Sequence, residues 1–171
     1  MRTAKVIVEP YDEAWRDDFI AIKNEIEAAI GDLILSIEHV GSTSVEGLSA
    51  KPCIDIDVVI RDDTMLPSVV QGLAKIGYRH EGDLGIHGRE AFDYADKSHL
   101  KKHHLYVCPK ASEELRRHIT FRDFLRENPD AVRQYGKVKE EAAALYPNDI
   151  DGYIAYKSPC IEELYRRCGL L

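Results

Sequence analysis

The sequence predicts an α/β (α+β) protein: a mixed β-sheet with flanking helices, closed by a C-terminal helical bundle. Three observations predict it. Short apolar runs of strand character recur through the first 108 residues, at Ile34 to Val40, Ile54 to Ile60 and His103 to Cys108. An apolar stripe at helical spacing precedes them. From Ala111 onward the chain shows only helix starts, helical spacing and helix stops. The expected organisation is an α/β core over residues 1–108 and a helical segment over 109–171 packed on it as one compact unit, since 171 residues is the size of one domain.

Taken in order, Lys5 to Glu9 reads as a short strand, ended by Pro10. Trp15, Phe19, Ile22, Ile26 and Ile30 then recur at helical spacing with charged residues between them, and Gly31 stops the run. The strand Ile34 to Val40 leads into a Gly41-Ser42 turn that should open a short helix, and the strand Ile54 to Ile60 follows. A helix is expected from Leu66 to Ile76, ending at Gly77. Tyr78 to His80 and Arg89 to Tyr94 should be strands around a loop containing Gly82, Gly85 and Gly88. After the strand beginning at His103, Ser112 with Glu113 and Glu114 marks a helix start. Pro129 opens a second helix, and Pro147-Asn148 separates a third that runs to about Cys168.

The net charge of −7 resides entirely before residue 109: residues 1–108 hold 12 Lys and Arg against 19 Asp and Glu, and the remainder holds 11 of each. This argues against a nucleic-acid polyanion as main partner, because backbone binding needs clustered positive charge. A small nucleotide can still bind locally. Cys53, Cys108, Cys160 and Cys168 are scattered with no CxxC pair, so reduced thiols in a cytoplasmic protein are expected. MRTAKVIVEP lacks the apolar core of a signal peptide, and no window approaches the roughly 18 apolar residues of a membrane span.

The chemistry concentrates in GSTSVEGLSAKPCIDID, residues 41–57. Alternate residues of a strand share a face, so Asp55 and Asp57 point one way while Ile54, Ile56 and Val58 point into a core. Two carboxylates on one face repel unless a cation lies between them, and hard oxygen ligands suit Mg²⁺ or Mn²⁺. Upstream, Gly41 and Ser42, with Thr43 and Ser44, are candidates for phosphate binding through the free amides of a helix start. Asp-x-Asp and Gly-Ser are each common on solvated strands and turns, so each carries a bland reading alone.

Gly41-Ser42 followed by Asp55-x-Asp57 on the next strand resembles the signature of the polymerase-beta-type nucleotidyltransferase superfamily. The longer string HVGSTSVEGLSAKPCIDIDVVI, residues 39–60, resembles more narrowly the GrpB family, small bacterial proteins of that fold. The resemblance continues through His104-Leu105-Tyr106-Val107, FRDFLRENP at Phe121 to Pro129, and Tyr135, Lys139, Tyr153 and Lys157, covering nearly the whole chain. That family usually shows a second histidine where Tyr106 stands. The superfamily usually places a third carboxylate on a later strand beside the first two. The strand from His103 to Val107 is the expected position; it offers His104 as proton carrier or metal ligand, with Asp93 as the fallback acid. His99, His103 and His104 together suggest either a transition-metal cluster or, with Lys97, Lys101 and Lys102 interleaved, a solvated loop.

Lys51 is placed to reach a phosphate or to lie in solvent. Arg122 and Arg126, Tyr135 and Lys139, and Tyr153 and Lys157 each fall four apart on a helix face. They either line the far wall of a nucleotide cleft, with Lys139 and Lys157 on a triphosphate, or form helix salt bridges and core aromatics. The resemblance thus implies a metal-dependent nucleotidyltransferase in which Asp55 and Asp57 hold the cation and Ser42 the terminal phosphates of a nucleoside triphosphate, with an unknown acceptor. The alternative is a catalytically degenerate nucleotide- or phosphate-binding module. Family members joined to a dephospho-coenzyme A kinase hint at coenzyme A metabolism.

Overall fold

A computed structural model describes residues 5–171, whose chain groups into two compact units. One comprises Ala14–Gly41 and Cys53–Ile119; the other comprises the segment up to Glu13, Ser42–Pro52 and Thr120–Leu171. This grouping interleaves segments that the change in composition at residue 108 had kept apart.

The first unit is built on a five-stranded sheet formed by β1 (Ser36–Val40), β2 (Ile54–Ile60), β3 (Tyr78–Gly82), β4 (Glu90–Tyr94) and β5 (His103–Pro109) in the order β1-β2-β5-β4-β3. Only β2 and β5 run parallel; the other pairs are antiparallel, so the sheet is mixed as expected. Strand β2, an interior strand of the sheet, is apolar along one face because Ile54, Ile56, Val58 and Ile60 are all fully buried. Each such side chain withdrawn from water contributes about 1.5–3 kcal/mol. On the opposite face Val59 joins Cys108 and Leu115 in a smaller apolar cluster, and Asp57 is fully buried.

α1 (Ala14–Ile30) buries Trp15, Ile22, Ile26 and Ile30 of the stripe read from the sequence, while Phe19 is half-buried and stacks on His39, and the helix packs against β2 and α2 (Leu66–Ala74). The approach of α1 to α2 is close: a Cβ on Gly72 would lie 2.5 Å from the Ile30 Cγ2 atom, so only glycine fits there. Lys97, almost fully buried, donates to Glu25 of α1 at 2.6 Å, and the ring of His99 bonds the second oxygen of Glu25 at 2.7 Å. Together they tie the loop before β5 to the helix.

In the second unit, Val45, Leu48, Leu125, Ala131, Val132, Tyr135 and Leu164 form one buried core. α4 (Pro129–Leu145) and α5 (Ile150–Arg167) pack on each other. Pro129 opens α4, where its missing N–H costs nothing. Asp149 caps α5 by accepting from the Gly152 amide at 3.1 Å. α3 (Glu113–Glu127) starts as expected, with Ser112 Oγ accepting from the Leu115 amide at 3.2 Å, and the division at Ile119/Thr120 falls within it.

Three expectations need correction. Lys5 to Glu9 forms no strand: a single antiparallel bridge joins Glu9 to Ala50, and a polar strand-edge residue with Pro10 behind it cannot extend the ladder. Ser42–Ser44 is a single 3₁₀ turn and opens no α-helix, so the residues after Gly41 have no helix macrodipole to offer an anion. The strand expected from Ile34 begins at Ser36, because Gly31–Leu33 takes a 3₁₀ turn first. The reading of the N-terminal ten residues as no signal peptide partly falls on residues 1–4, which lie outside the described residues. No helix among the described residues is long and apolar enough to cross a membrane.

Candidate functional site

On β2 the pleat turns Asp55 and Asp57 to one face, and the neighbouring strands decide what stands beside them. In register, β5 sets His104 beside Asp55 and Tyr106 beside Asp57, while β1 sets Glu38 beside Asp57. The His104 ring donates through Nδ1 to Asp55 Oδ1 at 3.0 Å. An ionised carboxylate only accepts, so this nitrogen carries the proton. Hydrogen bonding to Asp55, then to Cys53, outweighs burial and pushes the His104 pKa up to about 10, so the ring is an imidazolium at neutral pH.

Asp57 is fully buried. Its Oδ2 accepts from His118 Nδ1 of α3 at 2.6 Å, while Oδ1 has no hydrogen-bond partner among the described residues. The far nitrogen of His118 lies 3.7 Å from Glu114 Oε2, one helical turn earlier. Burial pulls the His118 pKa down, but the bond and charge of Asp57 with the charge of Glu114 raise it overall. His118 is therefore a functional candidate missed in the sequence. No spacing connects it to Asp57, 61 positions earlier in the chain; only the docking of α3 on the sheet does. Beside this pair the Arg89 guanidinium lies over the Tyr106 ring at 4.2 Å, and burial holds the Tyr106 phenol above its ordinary range.

Gly41 presses against the carboxylate of Asp55. Gly41 has φ +73°, and a Cβ there would overlap Asp55 Oδ2. Ser42, the next residue, belongs to the second unit, where its Oγ accepts from Lys139 Nζ at 2.5 Å. Lys139 is buried; it also donates to the Ser49 carbonyl at 3.1 Å and lies 4.7 Å over the Tyr135 ring. The Ser44 carbonyl accepts twice from Arg126, from Nε at 3.0 Å and Nη2 at 2.8 Å, while buried Thr43 and Ser44 turn no side chain to solvent. Arg122 pairs with Asp123 at 3.0 Å, the helix salt bridge expected from the bland reading.

Lys51 is exposed and bonds none of the other candidates. Lys157 lies 4.5 Å over the Tyr153 ring, and burial lowers its pKa. The three histidines near residue 100 are dispersed: His99 bonds Glu25, His103 faces the core and bonds the Tyr78 hydroxyl at 2.7 Å, and His104 faces Asp55. Asp93, the fallback acid, is paired with Arg79 at 2.6 Å.

Among the described residues no group of three or more His, Cys, Asp or Glu side chains stands arranged to hold a metal ion. The carboxylate pair nevertheless fits a hard cation in donor chemistry, and the orphaned buried oxygen of Asp57 is the atom such an ion would satisfy.

This sheet and helix arrangement is a nucleotidyltransferase-like fold. The Cid1 poly(U) polymerase bound to MgATP superposes on it with a TM-score of 0.54 at 11% identity, over 77% of this chain and 45% of that one. The chain belongs to the GrpB family, whose model matches residues 5–167. The crystal structure of GrpB from Enterococcus faecalis aligns with a TM-score of 0.77 at 30% identity, covering 94% of this chain and 98% of that chain. Among sequences, the glutamate-rich protein GrpB of Alkalihalophilus pseudofirmus is 32% identical over 163 residues, 94% of each chain. The UPF0157 protein YqkA of Bacillus subtilis is 31% identical over 158 residues, and the match spans 92% of this chain but 46% of that longer protein. A protein of Mycolicibacterium paratuberculosis named dephospho-CoA kinase is 28% identical over 189 residues, again with 46% of its length covered.

Proposed function

We propose that the protein transfers a nucleotidyl group from a nucleoside triphosphate to a hydroxyl-bearing acceptor. The observation that carries this reading is the carboxylate pair of β2, with one buried oxygen of Asp57 left unpartnered in a fold shared with a polymerase bound to MgATP. Asp55 and Asp57 are the residues that would hold Mg²⁺ or Mn²⁺, which when bound supplies positive charge against the phosphates. Phosphate binding is assigned to Gly41, Ser42, Thr43 and Ser44. The bare Cα of Gly41 lets the Asp55 carboxylate lie against this turn, and Lys139 donates to the Ser42 hydroxyl. Lys51 and Lys157 are further cations for the phosphates, in a secondary role. The acceptor oxygen forms a bond to the α-phosphorus while the bond between that phosphorus and the bridging oxygen breaks. Its electron pair leaves on pyrophosphate, and the acceptor proton passes to solvent. His104 already holds its proton at neutral pH, so its part is to place charge and orientation on Asp55.

The test is a thermal-shift titration with the four ribonucleoside triphosphates, with and without Mg²⁺ or Mn²⁺. A ligand at ~100 Kd stabilises the folded state by roughly 2.7 kcal/mol. A metal-dependent shift in the wild type that disappears in Asp55→Asn and Asp57→Asn is expected. An unchanged shift in those variants refutes the assignment.

One observation favours a second reading, a noncatalytic nucleotide- or phosphate-binding module. The β5 positions beside the two aspartates are His104 and Tyr106, and neither is an acid. The relative named dephospho-CoA kinase points this module toward coenzyme A metabolism. Pyrophosphate release with a panel of small hydroxyl acceptors supports the enzyme; tight binding with no product supports the module.

A further inference from the structure

The two aspartates are held by imidazoles in different ways. His104 is half exposed, with 48% of its side chain accessible, and reaches Asp55 from the neighbouring strand. His118 is 24% accessible, stands on a helix, and is bracketed by two acids: Asp57 at 2.6 Å on Nδ1 and Glu114 at 3.7 Å on Nε2. The hydrogen bond at Nδ1 holds the carboxylate, and the charge of Glu114 near Nε2 favours this orientation of the ring. That carboxylate has its Oδ2 filled by His118 and its Oδ1 buried without a partner among the described residues. Leaving a buried carboxylate oxygen unpaired is costly, and the fold retains it. The hydrogen bond on Oδ2 decides which oxygen remains available and where it points.

We propose that His118 is a positioning residue of the cation site: by donating to Asp57 Oδ2, and being oriented by Glu114, it presents Asp57 Oδ1 to a divalent cation. The inference rests on the assignment of Asp55 and Asp57 as cation ligands. It adds a residue from α3, and a support behind it, that the signature around β2 does not contain. Outer groups that hold a ligating carboxylate by hydrogen bonds govern its affinity for metal, and their loss typically weakens binding about 10–100-fold.

The proposal predicts the behaviour of His118→Phe and His118→Asn. Phenylalanine keeps a ring in the space but has no donor; asparagine keeps an N–H donor near the position of Nδ1. Mn²⁺ affinity is measured by electron paramagnetic resonance and calorimetry without nucleotide, and folding of each variant is checked by circular dichroism and urea denaturation. Expected are a loss of Mn²⁺ affinity of about 10–100-fold in His118→Phe, near wild-type affinity in His118→Asn, and a smaller loss in Glu114→Gln. A folded His118→Phe protein that binds Mn²⁺ like the wild type overturns the proposal. Equal losses in folded Phe and Asn variants also overturn it, because the donor would then not matter. Should His118→Phe fail to fold, the Asn variant decides: retained affinity supports the role and lost affinity overturns it. Wild-type protein that binds no Mn²⁺ removes the cation assignment itself, and this inference falls with it; that result differs from one confined to the His118 variants.

Discussion

Gly41 and Asp55 are in such close contact that a single methyl group on the glycine would overlap the carboxylate oxygen Oδ2. With φ at +73°, the backbone there is also one that L side chains rarely adopt. Gly41→Ala therefore meets two penalties, backbone strain and collision, and the relief for the second is to push Asp55 out of place. The substitution is expected to cost about 1–3 kcal/mol in urea denaturation and to abolish metal-dependent nucleotide binding.

Asp57 offers a different kind of sensitivity, because its carboxylate is buried against an imidazole of raised pKa. Asp57→Ala strands the proton of His118 without its acceptor, and breaking a buried pair from one side costs about 3–5 kcal/mol. Asp57→Asn keeps an acceptor and should lose much less stability while losing cation binding. Parallel urea titrations of the two variants measure the difference; equal destabilisation contradicts the pairing.

Lys139 joins the Ser42 hydroxyl and the Ser49 carbonyl from α4. Lys139→Met leaves both oxygens without this donor, a loss of about 1–3 kcal/mol. Lys139→Arg should not restore nucleotide binding, because a planar fork cannot replace a point-like ammonium at this distance. Denaturation and thermal-shift titration together separate the structural from the binding component.

The Glu25 contact yields a pH dependence. Burial raises its pKa, but the hydrogen bonds and charges of Lys97 and His99 outweigh that and leave it below 4.5. A carboxyl with a depressed folded pKa adds stability that is complete above its unfolded pKa and disappears as pH falls through the folded value. Stability should therefore decline on acidification below about pH 4.5, and Glu25→Gln should flatten that limb. A denaturation series between neutral and acid pH checks this; an identical acid limb in the variant rejects the role.

Ile56 tests the core beneath the site. It is fully buried on β2 between the two aspartates, and Ile56→Ala should cost about 2–5 kcal/mol through lost burial and the cavity left behind. Chemical denaturation gives the value directly.

Much of this was legible in the chain. Strand alternation at Ile54 to Ile60 set Asp55 and Asp57 on one face, because the pleat has period two whatever lies around it. Helical spacing of Trp15, Ile22, Ile26 and Ile30 identified most of the buried stripe of α1, Ser112 and Pro129 marked helix starts through local amide chemistry, and Pro147-Asn148 marked the break before α5. The four-residue spacing of Tyr135 and Lys139 put both on one face of α4, where the ammonium lies over the ring. These are relations between residues close in sequence, governed by periods and caps.

Tertiary structure alone decided the rest. It buried Asp57, brought His118 to Asp57 and Lys139 to Ser42 across long stretches of chain, and separated His99, His103 and His104 onto different partners. It also converted the Gly41-Ser42 helix start into one 3₁₀ turn. The physical reason is that strand and helix periods fix which way a side chain points, whereas the partner it meets depends on the order of strands and the docking of distant helices. Those are set by burying apolar faces over the whole chain.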